Sequence, residues 1–432
     1  MRILIGCLLS WFFLVSTHTR SQSIHWKRVG KPSKNTSEFV KGDVKEGQAF
    51  IAARTQECRW ADAKGNLWVF GGSGYDVDGQ YGIFQDLWRF NPKNNNWQLI
   101  KGKGNSSEKE IDKDPSWPAG RRNASTWCDK NGNLWLFGGK GMGDLFHLND
   151  MWVFETNKGQ WRKIQGSNSV NDKPTYDRLN ESAKNSSPGG RSGSSTWVDN
   201  DDNLWLFGGE SQEGKNMIAY NDLWQFDQKK ELWRKIAGAD KPNQTLDSNS
   251  ISTGSKKIDP SSRRGAIAWY DKTKNQLYLY GGFGFGVSSG QQGGLADMWA
   301  YDIKGNSWSI KSRNFQVNSD QVNFSAGALS PKNTPGSRHG AVSWIDGAGN
   351  FYLMGGHSIL YSESTFVDPY VWKYDITKGM WVMVLDSESV VLNGGTVFAA
   401  ADGSVYLYGG NEFDKQKKQS YPVTSIWLLE QK

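Results

Sequence analysis

The chain is poor in the residues that most site chemistry requires, with three cysteines and five histidines in 432 residues. Cys7 lies in an N-terminal apolar stretch, which leaves Cys58 and Cys128 for the body of the protein. An oxidising compartment permits a disulfide between them, but a chain this long does not need one. Cys58 stands two residues before Trp60 and Cys128 directly after Trp127, in equivalent strands and on opposite faces. A bridge requires Cα atoms within about 7 Å, and the sequence leaves it open. The body's histidines, His25, His147, His339 and His357, have no zinc or copper spacing, so neither metal nor cofactor is expected. Asp76-Val77-Asp78-Gly79 opens like a calcium loop without the downstream ligands and reads as a turn. The glycine-rich stretch 281–294 lacks the phosphate-loop pattern, which argues against a nucleotide.

Long apolar runs are also missing, apart from Ile3–Val15 behind Arg2. That run is too short to cross a bilayer of about 30 Å as a helix and reads, over residues 1–20, as a signal peptide. The expected location is therefore extracellular, or periplasmic in a bacterium, with no membrane span. Discounting Arg2 and Arg20 lowers the formal charge from +7 to +5, since no acid precedes residue 21. With no lysine-rich block or interleaved aromatic stripe, a nucleic-acid partner is excluded.

What is abundant is tryptophan, 22 of them, and glycine, 50. Trp88 and Trp97 stand nine residues apart, and so do Trp152 and Trp161, Trp224 and Trp233, Trp299 and Trp308, and Trp372 and Trp381. Trp427 begins a sixth copy that the chain does not finish. The N-terminal IHWKRVG around Trp26 matches the second halves WQLIKG and WRKIAG. Internal repetition thus sets the architecture before length does. Each repeat has an inner strand such as STWCD, a second such as NLWLFGG, a third such as NDLWQF, and a fourth beginning at the second tryptophan. Gly-Gly pairs end the second strand at Gly71, Gly138, Gly208, Gly281, Gly355 and Gly409, where positive φ or close backbone approach is called for. Six four-stranded meanders predict an all-β, six-bladed β-propeller in which the N-terminal strand, residues 24–30, completes the last blade. The repeats span approximately 54–102, 121–166, 191–238, 263–312, 338–385 and 392–430 of a single domain, 21–432.

The double glycine, the aromatic third strand and the spaced tryptophan together resemble kelch repeats, and GNLWLFGG with NDLW is similar to secreted members of the galactose-oxidase propeller superfamily. The resemblance covers residues 24–430. It implies the propeller fold with the first strand innermost; it does not by itself imply an activity. Copper oxidase chemistry is not expected, because the paired histidines and modified cysteine of galactose oxidases are missing. In such a sheet the turns after strands one and three share one end, and these are short (DAKGN, NPKNNN). The connections after strands two and four share the other end and are long, so that end carries the candidate binding face. Six of seven glycosylation sequons, at Asn35, Asn105, Asn180, Asn185, Asn243 and Asn323, fall in the connections after strand four; Asn123 is at the edge of an inner strand.

Arginine recurs six residues before the inner-strand tryptophan at Arg54, Arg121, Arg191, Arg263 and Arg338, with Leu392 in the sixth repeat. As a ring at the channel mouth these guanidinium groups suit carboxylate, sulfate or phosphate. A similar pattern in cytosolic kelch adaptors, which bind acidic peptides, implies the same. The alternative is structural: each arginine pairs with a third-strand acid, Asp86, Asp150, Asp222 or Asp297, or bonds loop carbonyls. Arg122, Arg264 and His339 adjoin the ring. Ser73, Lys140, Glu210, Phe283, His357 and Asn411, directly after the Gly-Gly pairs, also approach the mouth. Recognition of an acidic glycan or protein segment is the expected function. The rival is acid–base chemistry on a sugar by Glu210 and His357, as in kelch-type sialic acid mutarotases; a third reading is a matrix component without a discrete site.

Overall fold

A computed structural model describes residues 24–29, 51–52, 54–75, 81–102, 116–141, 145–167, 169–176, 179, 181, 185–253, 258–287, 291–322, 327–356, 370–384, 392–393, 396–399, 403–409, 411–414, 419–422 and 426–431. Residues 1–20, expected to be a signal peptide, lie outside them. Among the described residues the fold is all-β with one short helix, Ser248–Thr253. None of their helices is long and apolar enough to cross a membrane.

Six four-stranded antiparallel sheets carry the repeats, and none closes on itself. The first runs from inner to outer strand as Cys58–Ala61, Leu67–Phe70, Leu87–Asn91 and Asn96–Lys101. The next four start at Ser125–Cys128, Ser195–Val198, Ile267–Asp271 and Val342–Ile345 and keep the same order. The sixth consists of Thr396–Ala399, Val405–Tyr408 and Ile426–Gln431, with Ile24–Val29 as its outer strand. One register recurs throughout. The third-strand tryptophan faces Val69, Leu136, Leu206, Leu279, Leu353 or Leu407 of the second strand. Trp97 lies opposite Phe90, and Trp26 takes the equivalent place opposite Leu429.

The short turns have a local cause. Asp62 Oδ1 accepts the backbone N–H groups of Lys64 and Asn66, while its Oδ2 accepts Asn66 Nδ2 and Trp68 Nε1. This aspartate turn, with Gly65 at φ +80°, folds the inner strand onto the second and anchors an indole at once. Asp129 and Asp199 repeat it with Trp135 and Trp205.

Six apolar clusters fill the spaces between successive sheets, and one of them joins the sixth sheet to the first through Val69, Trp88, Phe398 and Tyr408. Inner strands of successive sheets touch, and that of the sixth touches that of the first. Trp60, Trp127 and Trp197 each donate Nε1–H to a carbonyl of the following sheet, at Trp135, Trp205 and Trp269, 2.9–3.0 Å away. Burial of each large side chain contributes about 1.5–3 kcal/mol, and the indole donors fix the rotation of one sheet on the next.

The Gly-Gly pairs serve both duties expected of them. Gly281 has φ +64°, and a Cβ there would stand 2.6 Å from the carbonyl oxygen of Arg338 in the next sheet. Its neighbour Gly282 donates its N–H to that same oxygen at 2.9 Å. Beyond the glycines the connections after the second strands are not simple loops. Ser73–Tyr75 pairs with Tyr81–Ile83, Glu210–Glu213 with Asn216–Ala219, and Phe283–Phe285 with Gln292–Gly294. Left-handed glycines break the ladder, the chain turns, and pairing resumes as a second tier of short hairpins.

Candidate functional site

The recurring arginines begin where the chain enters each inner strand. Arg54 lays Nη1 and Nη2 on the two oxygens of Asp86 at 2.5 and 3.0 Å, and Nη1 also donates to Gly71 O. Asp86 Oδ2 accepts Trp88 Nε1–H at 2.6 Å, so arginine, aspartate and indole form one bonded unit. Arg121 with Asp150, Arg191 with Asp222 and Arg263 with Asp297 are built alike. In the fifth repeat Tyr370 stands at the sequence position of the acid, and Arg338 donates to the carbonyls of Gly355 and Pro335. All five side chains are buried, at 0–4 % exposure.

This geometry matches the structural alternative for the five recurring arginines. Arg54, Arg121, Arg191 and Arg263 tie the end of the second strand and the start of the third to the inner one, and Arg338 holds the end of the second strand alone. Acid and base of opposite sign, both dry, are most stable bonded to one another, and no anion in solvent reaches them.

Two residues after each arginine the chain turns left-handed, at Gln56, Asn123, Gly193, Gly265 and Gly340, with φ between 55° and 66°. These residues form a head-to-tail series: Asn123 N–H donates to Gln56 O, Gly193 to Asn123 O, Gly265 to Gly193 O and Gly340 to Gly265 O. The series links five sheets at the long-connection end. Around it stand the residues between arginine and turn, each opposite the residue after a Gly-Gly pair: Thr55 by Ser73, Arg122 by Lys140, Ser192 by Glu210, and Arg264 by Phe283. Asn393 and Asn411 are likewise paired.

At this mouth Glu210, only 6 % exposed, receives Lys140 Nζ at 2.7 Å on one oxygen and Arg264 Nε at 2.8 Å on the other. Three sheets meet in that one carboxylate. The Arg264 guanidinium lies 5.0 Å above the Phe283 ring, which meets His339 in a T-shaped contact at 5.8 Å. Arg264 is 35 % exposed, and its terminal nitrogens have no hydrogen-bond partner among the described residues. Arg122 donates to Gln56 Oε1 at 2.9 Å. Lys140 and Arg264 thus share the one charge of Glu210. His147, fully buried beside Lys140, is lowered to about 4 by burial first and by the Lys140 charge second, and is neutral near pH 7.

For acid–base chemistry the arrangement is unfavourable. Both Glu210 oxygens are committed to cations, and His357 lies outside the described residues. No group of three or more metal-ligating side chains occurs among the described residues. A cavity of about 430 Å³ between Tyr352 and Leu429 opens at the short-turn end, and its acid, Asp346, is taken up by Asn350 and Tyr352. Cys58 and Cys128 are free thiols. Of the sequons, Asn185 and Asn243 are exposed, and Asn35, Asn105, Asn180 and Asn323 lie outside the described residues.

The sequence singled out Arg122, Lys140, Glu210, Arg264 and Phe283 as positions near the mouth but not their pairing. The signal was present as a near-constant interval: Thr55 to Ser73, Arg122 to Lys140 and Ser192 to Glu210 are all eighteen residues apart. No protein-family model matches this chain.

Proposed function

We propose that the chain is an exported, six-bladed β-propeller of kelch type that recognises an acidic glycan without catalysis, at the mouth formed by its long connections. Six four-stranded sheets in one register, with inner strands touching in cyclic order, support the propeller. Pairing of Ile24–Val29 with Ile426–Gln431 supports closure by the N-terminal strand. The binding reading rests on one observation: Arg264 is held by Glu210 and by the Phe283 ring, and its terminal nitrogens have no partner among the described residues. A preorganised guanidinium edge accepts an oxyanion in two parallel hydrogen bonds with little loss of freedom.

A glycan is favoured over an acidic peptide by exposed rings carried on other connections at the same end. Tyr75 and Tyr81, 50 and 53 % exposed, meet edge-on at 5.2 Å on one hairpin, and the half-exposed Phe146 adjoins the Lys140 strand. Rigid amphipathic rings offer apolar faces to sugar C–H groups and, for tyrosine, hydroxyls to their oxygens. A glycan and peptide array tests the proposal. Salt-sensitive binding to uronic-acid or sulfated glycans, lost in Arg264→Ala, is the expected result. Selective binding to acidic peptides would transfer the mouth to a protein partner, and no retention of either class by the folded protein would end the reading.

A further inference from the structure

We propose that Glu210 is a resident competitor that restricts this mouth to ligands presenting one isolated oxyanion, a carboxylate or sulfate ester on an otherwise uncharged glycan segment. The inference rests on reading the mouth as an anion-recognition site. Glu210 occupies Lys140 and the Nε edge of Arg264, the places a second ligand charge would take. What remains open among the described residues is the terminal edge of Arg264, wide enough for one bidentate contact. Glu210 is nearly dry and bonded through both oxygens, so it cannot swing away without leaving two cations unpaired. A first anion at Arg264 is balanced by the surplus positive charge; a second meets Glu210 at short range and is repelled.

The same geometry separates competition from positioning. If Glu210 served only to hold Arg264 in place, removing its charge would loosen the guanidinium and weaken every ligand. As a competitor its removal frees Lys140, and densely charged ligands gain most. Glutamine is the informative substitution, because it keeps the length of the side chain and a carbonyl oxygen beside Arg264 while the negative charge is gone.

The test measures dissociation constants for three probes: a trisaccharide with one terminal uronic acid, the same trisaccharide bearing one sulfate ester, and hexagalacturonate. Wild type, Glu210→Gln, Arg264→Ala and the double variant are compared, with thermal melts to establish folding. Wild-type protein should hold one or both singly charged probes at least as tightly as hexagalacturonate, and the carboxylate and sulfate arms show which head is accepted. In Glu210→Gln, hexagalacturonate should tighten at least about fivefold, the scale of one like-charge contact near a protein surface, and by more than the single-charge probes. The double variant should bind as poorly as Arg264→Ala. Should the glutamine variant not fold, Glu210→Asp, too short to hold both cations, should show the same preference at smaller size. Unchanged or weaker hexagalacturonate binding in folded Glu210→Gln, with Arg264→Ala still defective, overturns the competitor role and leaves the mouth standing. Binding indifferent to Arg264→Ala, or absent for every probe, overturns the mouth itself.

Discussion

Asp150 is a carboxylate that burial pushes up, while the Arg121 charge and hydrogen bonds, with one from Trp152, overcome that push and hold it below the usual range. A depressed carboxylate contributes stability above its unfolded value, about 3.9, and that stability is lost as pH falls through the lower folded value. Unfolding free energy should therefore decline on acidification below about pH 4, and Asp150→Asn should flatten that decline in denaturant titrations. Arg121→Ala leaves Asp150 buried and alone, with an expected loss of about 3–5 kcal/mol. Adjacent residues should behave in opposite ways. Arg263→Ala, which breaks the pair with Asp297, should unfold the protein in milder denaturant, whereas Arg264→Ala, which leaves Glu210 its Lys140 partner, should abolish binding at a smaller cost in stability. Cys58 is pushed up to about 12, chiefly by burial. Its reaction with a thiol reagent at pH 8 should be at least about a hundredfold slower in the native protein than in denaturant, because little thiolate is present or exposed.

At the level of elements, the outer strand Ile24–Val29 is bonded along its whole length to Ile426–Gln431, some four hundred residues away in the chain. Trp26 packs edge-on against Trp344 at 6.2 Å, in the cluster between the fifth and sixth sheets. Trp26→Ala should cost about 3–5 kcal/mol, measured by chemical unfolding. Deleting residues 24–29 leaves Ile426–Gln431 as an open edge, and concentration-dependent association should appear in light scattering. The paired glycines are as intolerant as the tryptophans. Gly208→Ala combines φ +63° with a Cβ 2.6 Å from Arg263 O, so the expected loss exceeds about 1 kcal/mol.

For the whole molecule, the two ends differ in what they can offer a partner. The short-turn end is made of aspartate turns whose polar groups are mutually bonded, as at Asp62, Asp129 and Asp199. The other end carries the second-tier hairpins, the left-handed series from Gln56 to Gly340, and the uncommitted edge of Arg264. Binding at a surplus-positive mouth weakens with ionic strength, since the Debye length contracts from about 10 Å at 0.1 M to 3 Å at 1 M salt. Affinity for a uronic-acid trisaccharide should fall across that range, while melting temperature, dominated by apolar clusters and buried pairs, should change little.

Four-stranded periodicity, the shared register and the partner of the last strand were legible in the sequence, because each follows from side chains a fixed number of residues apart. Trp26 announces its place by matching Trp97 and Trp161, and Gly-Gly by recurring where two sheets press together. The arginines show where that legibility stops. Arg263 and Arg264 are identical letters in neighbouring places, yet one is buried against Asp297 and the other, paired with Glu210, stays partly exposed. Alternation along an extended strand sends them to opposite sides, and only the packing of the next sheet decides which side is dry. Glu210 is the same case. Its two cations come from the repeats before and after its own, and a contact between repeats leaves no mark in the spacing within any one of them.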